Sequence, residues 1–310
     1  MTELGSLMTK FANLAQRDDL NRVDSFHEAR SLVHAMCGDF VAREKAGQSR
    51  DQILSLIEPV RELHATSPFV RRLQEWPRGY PGDFETVRYI MNGENQATPG
   101  TIGFICEDFA LNSAIAQQHR NKVRHQASRI LETCLSSDFV QVFSMASGGS
   151  PDVESILPTL KRLGGDIEFY FNDSDPFALA TAREALAPIG NSCHFIPGNS
   201  LTVVRRIRAV GRFNLVMAGA LFDYLNDDQV TYLIRHAYHG LLKPYGRLFF
   251  TNIASPNPYR PLIEYLGDWF LVERNEDDIR RLCRAADVAA DRVSIRRDET
   301  GLALLVDVTR

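Results

Sequence analysis

The stretch from Phe139 to Asp173 constrains this chain more than any other, because it sets a strand, a glycine-bearing turn, a helix, a second strand and an acid in that order. Phe139, Val140, Val142, Phe143 and Met145 form an apolar run of strand length, which Ala146-Ser147-Gly148-Gly149-Ser150-Pro151 breaks. The spacing predicts a helix next, with Asp152 and Glu154 in its first turn, Ile156, Leu157, Leu160 and Leu163 on one face, and Gly164-Gly165 as its stop. Ile167 to Phe171 then reads as a second strand running into Asn172-Asp173. This is half of a nucleotide-binding α/β unit. Its glycines admit a ligand close to the backbone, and an acid at a strand tip can accept both hydroxyls of a ribose.

Dinucleotide sites and S-adenosylmethionine (SAM) sites share that pattern, and charge at the turn separates them. A pyrophosphate lies on the helix N-terminus and calls for a third glycine and no acids. Here Pro151, Asp152 and Glu154 occupy that end, and their carboxylates would repel a phosphate. A ligand carrying an ammonium and a sulfonium is compatible with them, which favours SAM over NAD. The competing reading is a buried βαβ unit in which Gly148-Gly149 is only a tight turn.

Around this unit the chain reads as two domains. Up to residue 135 helical spacing recurs, with stripes at Leu7, Phe11 and Leu14, at Phe26, Ala29, Leu32, Val33 and Met36, and at Ile53, Leu54, Ile57, Val60 and Leu63. The loop Trp76 to Phe84 interrupts them with Pro77, Gly79, Pro81 and Gly82, and it carries Arg78, Tyr80 and Asp83. A long helix from about Phe104 to Leu135 holds Arg120, Lys122, Arg124 and Arg129, which taken singly read as solvated charges. Residues 136–310 alternate strands and helices, the pattern of a parallel sheet covered on both faces. Asp175-Pro176 opens a helix, Cys193 to Ile196 and Phe213 to Met217 are strands, and a helix is predicted over Asp227 to Leu242. Lys243-Pro244-Tyr245-Gly246 reads as a turn, Arg247 to Ile253 as a strand, and Tyr259 to Leu266 with Glu276 to Ala286 as a helical pair. A hairpin around Asp298 to Gly301 closes the chain.

Composition narrows the function. A chain of 310 residues with net charge -4 suits neither a nucleic-acid surface nor an anionic membrane as its main partner, and Arg205-Arg206-Ile207-Arg208 is too short a basic run to alter that. The five cysteines are scattered without C-x-x-C spacing, as expected of reduced thiols in the cytoplasm. Met1-Thr2-Glu3-Leu4-Gly5 has no basic leader, and no segment approaches about 18 uninterrupted apolar residues, so a soluble cytoplasmic protein without membrane insertion is expected. The pairs His236/His239 and His119/His125 lack a third ligand, so no metal is expected. Gly148-Gly149-Ser150 is not a G-x-S-x-G nucleophile elbow.

Three further places carry a family resemblance: Arg78-Gly79-Tyr80-Pro81-Gly82-Asp83-Phe84; Leu221-Phe222-Asp223-Tyr224-Leu225; and Thr251-Asn252-Ile253 through Asn257-Pro258 to Asp268-Trp269-Phe270-Leu271-Val272-Glu273-Arg274. With the first turn they resemble the class I SAM-dependent methyltransferase superfamily, and more narrowly the bacterial group assigned to 3-hydroxypalmitic acid methyl ester biosynthesis. That group carries Gly-x-Gly-x-Gly in the first turn, and of the three glycines only Gly148 is in register here. Similar bacterial proteins cyclise SAM itself to azetidine-2-carboxylate.

The resemblance implies an α/β Rossmann-like methyltransferase sheet, five parallel strands plus an antiparallel C-terminal hairpin, behind a helical N-terminal lid over residues 1–135. It implies SAM with its methionine end over Ala146, Ser147, Gly148 and Gly149, its ribose on Asp173 and its adenine beside Asn199 and Ser200, with Gly219 and Arg120 as further contacts. Tyr80, Asp83, Asp223 and Tyr224 become the catalytic candidates, and Arg78 and Asn252 the substrate-binding ones. The partner is then a small-molecule substrate, with a homo-oligomer left open. Methyl transfer to a small or acyl substrate ranks first, SAM cyclisation second, and a non-catalytic SAM-binding protein third.

Overall fold

The computed structural model describes residues 3–310; Met1 and Thr2, where the reading for a leader begins, lie outside them. The chain divides into two units, one of residues up to Gln117 plus Pro258–Phe270, the other of Gln118–Asn257 plus Leu271–Arg310.

In the second unit β1 (Phe139–Met145), β2 (Asp166–Asp173), β3 (Cys193–Pro197), β4 (Phe213–Ala218), β5 (Leu242–Ile253), β6 (Val293–Arg297) and β7 (Ala303–Thr309) form one sheet in the order β3-β2-β1-β4-β5-β7-β6. The first five strands are parallel, and β7 runs antiparallel to both β5 and β6. This is the Rossmann-like sheet with a C-terminal hairpin expected from the sequence. Successive residues of a strand face opposite sides. Val142, Leu215 and Met217 accordingly pack toward Ile130, Val153 and Leu160, whereas Phe143, Val216 and Phe250 pack toward Val204, Leu233 and Ile279. Both faces are covered, which is why β1 and β4 read as near-continuous apolar runs.

The helices follow their predicted signals. Pro151–Leu163 (the eighth in the chain, α8) ends on Gly164 at φ +63, a left-handed position where glycine carries no Cβ penalty. In α9 (Pro176–Ala185) Asp175 caps the start by accepting from Phe177 N at 2.9 Å. After α10 (Ser200–Arg206), α11 (Asp227–Arg235) continues as a π-helical turn, His236–Leu241. One turn did not form as read: Lys243-Pro244-Tyr245-Gly246 is a bulge inside β5. Pairing with β4 jumps from Phe213↔Leu242 to Leu215↔Arg247 across it, and Tyr245 takes φ +63. Pro244 has no N–H to offer a ladder, so the strand bows out at that point and resumes.

In the first unit α1 (Glu3–Leu14), α2 (Val23–Lys45), α3 (Arg50–His64), α4 (Pro68–Glu75), α5 (Phe84–Asn92) and α6 (Ile102–Asn112) bury the apolar stripes read from the sequence in one core, with Phe11, Met36, Phe40, Ile53 and Ile57 fully buried. Tyr265 and Leu266 join that core. The segment Tyr259 to Leu266, expected in the second domain, therefore packs in the first. Arg61 donates to Asp268 at 2.5 Å, Arg50 pairs with the same carboxylate, and Arg260 pairs with Glu44. The unit boundary falls at Gln117/Gln118 instead of 135/136, because α7 (Ala114–Cys134) spends most of its length on second-unit partners. Asn121 donates to Asp298 at 2.8 Å, and Arg129 to Asp307 at 2.8 Å.

A Cβ at position 246 would lie 2.9 Å from Lys243 O and 3.0 Å from Phe213 O, both backbone atoms. Gly246→Ala is expected to destabilise the protein by about 1–3 kcal/mol. Urea denaturation checks this, and an unchanged midpoint would mean that the bulge relaxes without cost.

Candidate functional site

The strand order reverses between β1 and β4, and in open α/β sheets ligands bind beyond the strand C-termini at such a reversal. Met145 pairs with Asn172 on one side and Ala218 on the other, so the first turn, the tip of β2 and the end of β4 lie at one level. The turn leaves β1 through alternating left-handed residues: Ala146 at φ +48, Gly148 at φ +55 and Ser150 at φ +55. These are the three positions at which glycine was missing or present in the sequence comparison. The backbone keeps the glycine conformation where Ala146 and Ser150 stand, at a cost of roughly 1–2 kcal/mol for each L-residue held there.

Asp173 is tied directly to this turn. Its Oδ2 accepts from Gly148 N at 2.8 Å and its Oδ1 from Asp175 N at 2.9 Å. Burial pushes its pKa above the ordinary carboxylate value, against the N–H groups of Asp175 and Gly148, which lower it. Asn172, which the sequence reading passed over, fastens the neighbouring strand end. It donates to Ile196 O at 2.9 Å and Gly198 O at 2.7 Å and accepts from Ser200 Oγ at 2.7 Å. Asn199 is exposed and caps α10 through Leu201 N at 2.8 Å. The only prior signal for Asn172 was its place before the strand-tip acid, on the opposite face.

At the end of β4 one side of α7 is polar and buried. Lys122, read as a solvated charge, is 2% exposed and donates to Asp223 Oδ2 at 2.7 Å. Gln126, one turn on, lies against Gly219, where an added Cβ would sit 2.7 Å from Gln126 Oε1. Gln118, one turn before, is fully buried, and neither of its amide atoms is hydrogen-bonded among the described residues. Arg120 is half-buried, and burial with the neighbouring Arg124 lowers its pKa.

Several candidate side chains are committed elsewhere. Asp223 is fully buried; beyond Lys122, its Oδ1 accepts from Ile253 N at 2.5 Å, so it ties β5 to α7. Asn252 donates to Val272 O at 2.8 Å and accepts from Arg274 at 2.7 Å, which makes it a structural link and not a free substrate contact. Asp83, in the first unit, caps α5 through Thr86 N at 2.8 Å and pairs with Arg72 at 2.7 Å, so its carboxylate helps to hold that helix. Arg78 stacks over Phe84 at 5.1 Å and faces Glu85, while Tyr80 and Tyr224 are exposed in part. Three of the four weighed histidines serve the fold: His236 and His239 meet the carbonyls of Tyr232 and Ala286, and His125 meets Glu299. Among the described residues no group of His, Cys, Asp and Glu is placed to hold a metal ion, and no helix is long and apolar enough to cross a membrane.

No protein-family model and no curated protein matches the chain. Among solved structures it is similar to a possible exported protein from Bordetella parapertussis, at 14% identity and a TM-score of 0.58, covering 99% of this chain and 95% of that one. It is also similar to magnesium protoporphyrin IX methyltransferase from Synechocystis PCC 6803 with bound S-adenosylhomocysteine, at 13% identity and a TM-score of 0.51, covering 72% of this chain and 92% of that one. At such identities the likeness establishes the fold alone, a Rossmann-like sheet that this chain shares with both structures.

Removing one partner of a buried ion pair leaves an uncompensated charge. Lys122→Met is therefore expected to destabilise the protein by about 3–5 kcal/mol, and Lys122→Met with Asp223→Asn to recover most of that loss, since asparagine still accepts from Ile253 N. Thermal or chemical denaturation of the two variants reads the difference directly; equal losses would show that the charge on Asp223 is compensated by other groups.

Proposed function

We propose that this protein is a SAM-dependent enzyme, and that it transfers the methyl group to a small-molecule or acyl substrate. The observation that carries this reading is the joint between Asp173 and the first turn. Each carboxylate oxygen offers two lone-pair sites, and each oxygen of Asp173 takes one backbone N–H. One site on each remains for the two hydroxyls of a ribose, with the adenine beside Asn199 and Ser200 and the methionine end over Ala146 to Gly149. Asp152 and Glu154, in the first turn of α8, set the field against a phosphate and suit a sulfonium with an ammonium. The Synechocystis structure, with its bound S-adenosylhomocysteine, supports the same reading through the shared fold.

Methyl transfer needs an acceptor held in line with the methyl carbon and sulfur, about 3–3.5 Å away. The protein's part is then to orient two molecules and exclude water; the sulfonium is already activated. A second reading has its own observation, the side chains that Ala146 and Ser150 add to a glycine-shaped turn. In that reading SAM folds back on itself. The neutral α-amino nitrogen attacks the γ-carbon, the carbon–sulfur bond breaks, methylthioadenosine leaves, and the amine proton passes to a base, giving azetidine-2-carboxylate. With Asp223 paired to Lys122, Tyr224 is the candidate within the second unit to orient the amine. The five cysteines are free thiols, and burial pushes Cys37 and Cys283 up to about 12, which leaves them poor nucleophiles.

Asp173→Ala is expected to weaken SAM binding by about 1.5–3 kcal/mol, the range for hydrogen bonds to a charged group; calorimetry that returned an unchanged affinity would remove Asp173 from the site. The reaction itself is separated by incubating purified protein with SAM and no acceptor, followed by mass spectrometry. Methylthioadenosine with azetidine-2-carboxylate above the spontaneous rate identifies cyclisation. SAM that stays intact until cell extract is added, and then yields S-adenosylhomocysteine, identifies methyl transfer.

A further inference from the structure

We propose that Arg274 is a positioning residue, whose guanidinium sets the turn after β4 so that Tyr224 is in place for the step that follows SAM binding. This rests on the SAM reading above and adds to it a residue that acts through that turn.

Three stretches that carry the family resemblance, Leu221 to Leu225, Thr251 to Ile253 and the Leu271 to Arg274 end of the last, stand apart in sequence. They meet at one side chain. Arg274 is 2% exposed, and a guanidinium carries five N–H donors in a rigid plane. All five find acceptors. Nη1 donates to Phe222 O at 2.8 Å and Asn252 Oδ1 at 2.7 Å, Nη2 to Leu225 O at 2.7 Å and Asp227 Oδ1 at 2.9 Å, and Nε to the same Asp227 oxygen at 3.1 Å. The backbone beside it adds two more bonds, from Val272 N to Asp223 O at 2.7 Å and from Arg274 N to Ile253 O at 3.1 Å.

The turn needs such support. Leu221–Tyr224 is a single 3₁₀ turn, a geometry with poor hydrogen bonds, and its own are long: Asp223 N to Ala220 O at 3.2 Å and Leu225 N to Phe222 O at 3.4 Å. The carbonyls of Phe222, Asp223 and Leu225, held from outside the turn, bracket Tyr224, which is 37% exposed. Ala218, at the end of β4, pairs with Met145 beside the first turn, so the residues that follow it border the ligand end of the sheet. The proposed SAM contacts are fastened separately, Asp173 by Gly148 N and Asp175 N, and Gly219 O by the Thr251 hydroxyl. None of those bonds involves Arg274. Loosening Arg274 should therefore shift Tyr224 and leave the seat of SAM intact, and a misplacement of about 1 Å can cost on the order of a hundredfold in rate. Lysine offers three donors from one point and cannot span acceptors spread around a plane.

The test compares full-length Arg274→Lys with the wild type by urea denaturation, by calorimetry with SAM, and by turnover at saturating SAM. Turnover is followed as S-adenosylhomocysteine or methylthioadenosine with cell extract present. Arg274→Lys is expected to lower turnover by about tenfold to a hundredfold while SAM affinity stays within about twofold. Asp227→Ala takes away two of the five contacts at a side chain that is 44% exposed, and it decides the matter if Arg274→Lys does not fold. It is expected to lower turnover several-fold, again at unchanged affinity. Wild-type turnover in a folded variant, or turnover and affinity falling together, overturns the positioning role. If the wild-type protein binds SAM without consuming it, there is no step for Arg274 to serve and the role falls; if it binds no SAM, the SAM reading itself falls, and this proposal with it.

Discussion

Parallel pairing on both sides of β1 is the constraint on which the rest of the second unit depends. With β2 on one flank and β4 on the other, each parallel connection must cross over the sheet, and α8, leading to β2, packs on one face while α10, leading to β4, packs on the other. A crevice opens where they part. The register that sets Met145 against Asn172 and Ala218 then brings the first turn, Asp173 and Gly219 together without any of them having to reach. The strain at Ala146 and Ser150 is tolerated because strands on either side leave the turn no other exit.

The polar groups of this end divide into those that hold the frame and those left for a ligand. Asn172, Asp223, Asn252 and Lys122 are buried and hydrogen-bonded, and they lace strand ends to loops and to α7. Asp173 belongs to both groups, since its two backbone bonds do not exhaust its oxygens. The Ser147 hydroxyl, in the first turn, lacks that lacing.

Local chemistry was readable wherever a signal was itself local. Gly164 as a helix stop, Asp175-Pro176 as a helix start and the apolar runs of β1 and β4 depend on residues within a turn or two. Readings that assumed a side chain's destination fared differently. Lys122 looked solvated because helical charges usually are, and Asp83 and Asp223 became candidates through the motifs that carry the family resemblance. Each met a partner at a distance that no spacing rule encodes: Lys122 and Asp223 are 101 residues apart.

By itself the sequence determined the strand–turn–helix–strand core, the acid at the tip of β2, the alternation that builds a parallel sheet and the apolar faces of the N-terminal helices, because periodicity and capping are set by neighbours along the chain. Only the tertiary structure decided that Pro258–Phe270 joins the first unit, that α7 passes to the second at Gln118, that Lys243 to Gly246 is a bulge, and which carboxylates remain open. Those outcomes turn on burial and on pairing between residues far apart in sequence, and a buried charge takes whichever partner the fold brings to it.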